Sequence, residues 1–61
     1  MNFINLKEVI IGKDVKYICR GAFQDCISLK KVFIPNTLSK IETDAFANCI
    51  NLKQIIFYEV E

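Results

Sequence analysis

Seven carboxylates are spread along this chain: Glu8, Asp14, Asp25, Glu42, Asp44, Glu59 and Glu61. General acid–base chemistry needs two such groups held together in contrasting environments, or one beside a histidine. No pair of them recurs or falls in a buried-looking stretch, and the chain has no histidine. Cys19, Cys26 and Cys49 are the candidate metal ligands. A structural zinc ion takes four ligands, and three cysteines without histidine do not supply them. Cys26 and Cys49 read as small apolar core residues. Cys19 reads as an exposed thiol, with Arg20 beside it as the one feature that would activate it. Gly12 and Gly21 stand alone, so there is no glycine-rich loop to cradle a phosphate. No catalytic residue, metal or cofactor is expected, and the chain is read as not an enzyme.

The elements that must position these residues are bounded by size. A chain of 61 residues makes one domain at most. A domain this small buries only about 60% of its unfolded surface, so its core is marginal. Hydrophobic residues are 52% of the total, which argues for a folded chain. Eight basic residues against seven acidic ones leave a net charge of +1. That balance disfavours nucleic acid as a partner. No apolar run approaches the ~18 residues of a membrane span, and the first residues do not resemble a signal peptide. If Met1 is the native start, a cytoplasmic location is expected. If the chain is cut from a longer one, an extracellular or cell-surface location follows. An odd cysteine count fits reduced thiols in a reducing compartment.

A repeat organises the rest. Leu6, Leu29 and Leu52 fall at a constant step of 23 residues. The same step links Lys7, Lys30 and Lys53, then Val9, Val32 and Ile55, then Ile11, Ile34 and Phe57. It also pairs Val15 with Leu38, Ile18 with Ile41, Ala22 with Ala45, Phe23 with Phe46 and Cys26 with Cys49. The units are 6–28, 29–51 and a partial 52–61, within a single domain 1–61. The chain begins within a unit, with Phe3 at the cysteine position. Each unit opens with an alternating apolar segment that predicts a short strand, stopped by Gly12 or Pro35. It continues with apolar residues at spacings of three and four, which predict a turn or two of tight helix capped by Thr43 and Asp44. A unit this short buries its apolar face only by stacking on its neighbour. The expected fold class is an α/β solenoid of the leucine-rich-repeat kind. It has 23-residue units, a parallel ladder of three strands and short helical turns on the convex side.

The segments Ile18–Leu29 and Ile41–Leu52 resemble the BspA-like leucine-rich repeat. The family pattern is Ile-x-x-x-Ala-Phe-x-x-Cys-x-x-Leu before an apolar strand that often ends in proline. Pro35 keeps that ending, whereas Gly12 and Tyr58 depart from it. The resemblance implies protein binding and, in long secreted members, adhesion to host surfaces. It implies no catalytic residues.

Strand alternation turns Glu8, Ile10 and Gly12 away from the core, with Lys31, Phe33 and Pro35 and then Gln54, Ile56 and Tyr58 in the matching places. Ile10, Phe33 and Ile56 thus form an apolar column on the concave face, where a soluble monomer has little reason to place one. Glu8, Ile10, Lys31, Phe33, Gln54, Ile56 and Tyr58 are the candidate protein-binding residues. Lys7, Lys30 and Lys53 form a second column, read as a solvated edge, with an anion-facing stripe as the alternative. The segment Gln54–Tyr58 reads as an exposed apolar edge strand flanked by Lys53, Glu59 and Glu61. The expected function is a non-catalytic interaction module that binds another protein through the concave face and self-associates. A small intracellular inhibitor of a larger enzyme and a fragment of a multi-repeat surface adhesin are the alternatives.

Overall fold

Val32 and Ile34 are β-branched and alternate with Lys31 and Phe33, a pattern suited to a strand with one buried face. The computed structural model describes residues 5–61, and the expected position of Phe3 lies outside them. It places five strands in chain order: β1 (Glu8–Ile10), β2 (Tyr17–Ile18), β3 (Lys31–Pro35), β4 (Lys40–Ile41) and β5 (Gln54–Tyr58). Strands β1, β3 and β5 form one parallel sheet in that order, and β2 and β4 form a second. The register follows the repeat step: Val9 faces Val32, which faces Ile55, and Ile18 faces Ile41. Each turn of chain therefore lies on the next, about 4.8 Å away.

The core lies between the two ladders. Ile11, Ile18, Cys26, Leu29, Val32, Ile34 and Ala45 are buried, with Val9, Phe23, Leu38, Phe46, Cys49 and Leu52 packed against them. Phe23 and Phe46 stack with ring centroids 5.4 Å apart and planes 8° off parallel. Among the described residues, no polar or charged side chain is buried. Ile55 and Phe57 continue the core columns but stay 46% and 66% exposed, because β5 is an edge strand with a neighbour on one side.

The predicted helical turns are absent among the described residues. Segments 20–25 and 43–48 are runs of turns instead. In the first run the N–H groups of Ala22, Gln24 and Cys26 donate three residues back, to Cys19, Gly21 and Phe23. The N–H groups between them leave the turn altogether. Phe23 donates to the Ala45 carbonyl at 2.8 Å and Asp25 to the Ala47 carbonyl at 2.9 Å. A helix needs consecutive local bonds, and here alternate donors are committed to the neighbouring layer. Backbone handedness enforces this. Gly21 and Asp44, one repeat step apart, have φ of 66° and 61°. Asp25 and Asn48, also one step apart, have φ of 65° and 62°. Left-handed residues every four positions interrupt any right-handed helix. Asp44 is therefore a turn residue and no helix cap. Ile18 and Ile41, read as helical, sit in the second ladder.

Pro35 also departs from expectation. It is the last residue of the central strand rather than the residue after it, and its side chain is fully buried rather than outward and open. Proline in a central strand deletes a ladder donor. Lys31 donates to the Lys7 carbonyl and Ile11 to the Phe33 carbonyl, so the parallel register makes residue 35 the next donor, opposite the Ile11 carbonyl. Pro35 has no N–H to give. The Tyr58 hydroxyl donates to the Ile11 carbonyl in its place. Tyr58 pairs with Pro35, so its side chain reaches past Pro35 to arrive there. Replacing this hydroxyl leaves a part-buried carbonyl unpaired, which costs about 1–3 kcal/mol. Tyr58→Phe is thus expected to lower stability in urea denaturation. Its cost should shrink in a Pro35→Ala background, where an N–H returns, as a double-mutant cycle will measure. Additive effects would refute the substitution of one donor for the other.

Candidate functional site

The outward face of the three-stranded sheet is built by strand alternation, since each buried Val32 and Ile34 turns its neighbours out. Glu8, Lys31 and Gln54 stand in one row of the register. Ile10, Phe33 and Ile56 stand in the next, and Pro35 and Tyr58 close it at the far end. Ile10 is 72% exposed, whereas Phe33 and Ile56 are half-buried. The Lys31 ammonium lies 5.8 Å from the Phe33 ring centroid. That contact is worth about 0.5–1 kcal/mol at an exposed position and helps to hold the ring across the row. Tyr58 belongs to this face by position, but its hydroxyl is engaged with Ile11.

Lys7, Lys30 and Lys53 flank the face at the start of the strands. The Lys30 N–H donates to the Lys7 carbonyl at 2.8 Å, and the Lys53 N–H to the Lys30 carbonyl at 3.0 Å. Their side chains are exposed, one per layer. Among the described residues the ion pair is Lys40 with Glu42, at 3.8 Å. None of the four lysines beside the apolar row has a carboxylate partner there.

A separate apolar concavity of about 370 Å³ is lined by Val9, Ile11, Val15, Ile18, Ala22 and Phe23. Every one of these residues has an apolar counterpart one step later. Its lining therefore repeats the apolar residue types that recur in the next layer. Of its lining side chains only those of Tyr17 and Cys19 carry a polar atom, so it lacks the convergent polar groups of a small-molecule site.

The cysteines divide as the repeat divides them. Cys26 is buried, Cys49 is half-buried with its thiol 3.1 Å from the Phe23 carbonyl, and Cys19 is exposed. Burial pushes the Cys26 thiol above the usual thiol range, and the nearby Cys49 and Asp25 add to the effect. Among the described residues, no three His, Cys, Asp or Glu side chains group as metal ligands. No helix among them is long and apolar enough to cross a membrane. Side-chain bonds between layers escaped the sequence reading, among them Asn48 donating to the Asp25 carboxylate at 2.8 Å and Asn51 to the Ile27 carbonyl at 2.8 Å. The repeat of Asp25 and Asn48 at one step was the signal for the first.

A family model for a BspA-type leucine-rich repeat region of six copies matches residues 1–60. Comparison with curated proteins and with solved structures gives no match.

The thiols provide a direct check on this arrangement. With a neutral alkylating reagent near neutral pH, Cys19 is expected to react in the folded chain and Cys26 only through unfolding. Mass spectrometry of partly labelled protein will read the order, and equal rates would contradict the burial. The folded state holds the Cys26 proton more tightly than the unfolded chain does. The stability this contributes is fully present below the ordinary thiol value, about pH 8.5, and is lost as pH rises from there through the raised value of the folded state.

Proposed function

Because the chain belongs to the BspA-type leucine-rich repeat family, we propose that it is a non-catalytic protein-interaction module. It is a small solenoid that binds another protein through its three-stranded face. The observation that supports this is the Ile10–Phe33–Ile56 row, in register and turned from the core. A contiguous apolar row on a water-facing sheet marks contact surfaces more than free ones. The row has Glu8, Lys31 and Gln54 along one border, an apolar centre with a polar margin as interfaces are built. Leucine-rich repeats generally serve as interaction modules, which agrees with this reading.

Self-association is part of the same proposal. Strand β5 has one neighbour, and Ile55 and Phe57 leave apolar surface beside its free edge. Such an edge pairs readily with another chain. Light scattering on a size-exclusion column should show a dimer or larger species that grows with concentration, and Phe57→Lys should return it to monomer. A folded wild-type monomer at high micromolar concentration would end this part of the proposal.

The binding face has its own test. Phe33→Asp puts a carboxylate at the centre of the row without touching Val32 or Ile34. A partner held by the wild-type chain should be lost from this variant while its circular dichroism stays unchanged. Equal retention by both would rule the face out.

A further inference from the structure

Resting on the face just proposed, we infer that its occupant is an acidic amphipathic helix. Its apolar stripe would lie along Ile10, Phe33 and Ile56, and its carboxylates along Lys7, Lys30 and Lys53.

The spacing selects a helix. The row runs across the strands, so its three residues are one strand spacing apart and span about 9.6 Å in two steps. On a helix, residues i and i+7 on one face are about 10.5 Å apart, with i+3 or i+4 between them. An extended strand puts same-face residues about 6.7 Å apart and overshoots the row by several ångströms over two steps. A helix of two turns therefore meets all three side chains, and a strand does not.

The charge selects the helix's composition. Lys30 precedes Phe33 by three residues, about 10 Å along an extended strand. A helix with its side chains has a radius of about 5–6 Å, roughly half that distance. A helix seated on the apolar row thus lays one flank over the Glu8–Lys31–Gln54 row, within reach of the long side chains of the lysine column beyond it. Lys31 lies between the two, already folded toward Phe33 at 5.8 Å. Glu8 is the single acid in these rows, opposite Lys31 in the register. Against it stand Lys7, Lys30, Lys31 and Lys53, none in an ion pair among the described residues. The other border of the row ends at Pro35 and Tyr58, which add neither a carboxylate nor an ammonium. Carboxylates on one flank of the helix are matched, and lysines there would face a like-charged column.

The test uses the 61-residue chain and fluorescein-labelled synthetic helices of about four turns. One has a leucine stripe with glutamates along one flank. A second has glutamine for each glutamate, and a third has alanine for each leucine. Fluorescence anisotropy should show the glutamate peptide binding about tenfold more tightly than the glutamine one, as three exposed ion pairs allow. The alanine peptide should not bind. A triple variant, Lys7→Gln, Lys30→Gln and Lys53→Gln, should lose about the same tenfold, as should raising the salt to molar levels. If the glutamine peptide binds as well as the glutamate one, and Phe33→Asp abolishes both, the acidic partner is refuted while the face stands. If the glutamate peptide binds but Phe33→Asp leaves it untouched, the face fails and this inference with it. Absence of binding by wild type at millimolar peptide refutes the helix.

Discussion

A 23-residue turn of this chain cannot satisfy its own backbone. The N–H groups of Phe23 and Asp25, Lys30 and Lys53 all end on carbonyls one layer away. Burying such groups unpaired would cost more than a domain of this size has to spare. Only a neighbour with the same backbone path, offset by one step, presents its carbonyls at the right places. The parallel registers of both sheets are this single requirement seen at two corners of the coil.

Identical backbone paths put like residues against like. Leu29, Val32 and Ile34 gain from this, because apolar columns exclude water from both sides. Phe23 and Phe46 gain as stacked rings. Asp25 would lose opposite another aspartate, and Asn48 stands there instead and donates to it. The lysine column is the place where the rule is left in its unfavourable form, with three like charges stacked in water. The surface pattern of apolar row and basic row is thus a projection of the stacking rule onto the outside of the sheet.

How much of this was legible depends on which atoms carried the information. The step of 23, the three strands of the larger sheet and the outward row were readable because side-chain type alternates with side-chain direction, whereas β2 and β4 lay in segments whose spacing suggested helix. The turns were not, because a spacing of three or four fits stacked β-turns as well as a helix. The deciding facts were backbone ones: left-handed φ at Gly21 and Asp44, and at Asp25 and Asn48. Glycine, aspartate and asparagine are the residues that tolerate that region, so the pairs held a signal that apolar periodicity overshadowed. The role of Tyr58 was hidden for another reason. It answers an absence, the missing N–H of Pro35, in a different layer and 23 residues away. The outward row was legible as a row, and what occupies it depends on chemistry outside the chain.

The hydroxyl of Tyr58 also limits how such repeats can be exchanged. Units of equal length that stack by one rule look freely interchangeable, so duplication, loss and shuffling of whole repeats should be neutral. Here the defect lies in one unit and its remedy in the next. A recombination that carried the proline strand away from the tyrosine strand would leave a carbonyl two layers off without a donor. The heritable module, for this part of the chain, is a pair of adjacent repeats.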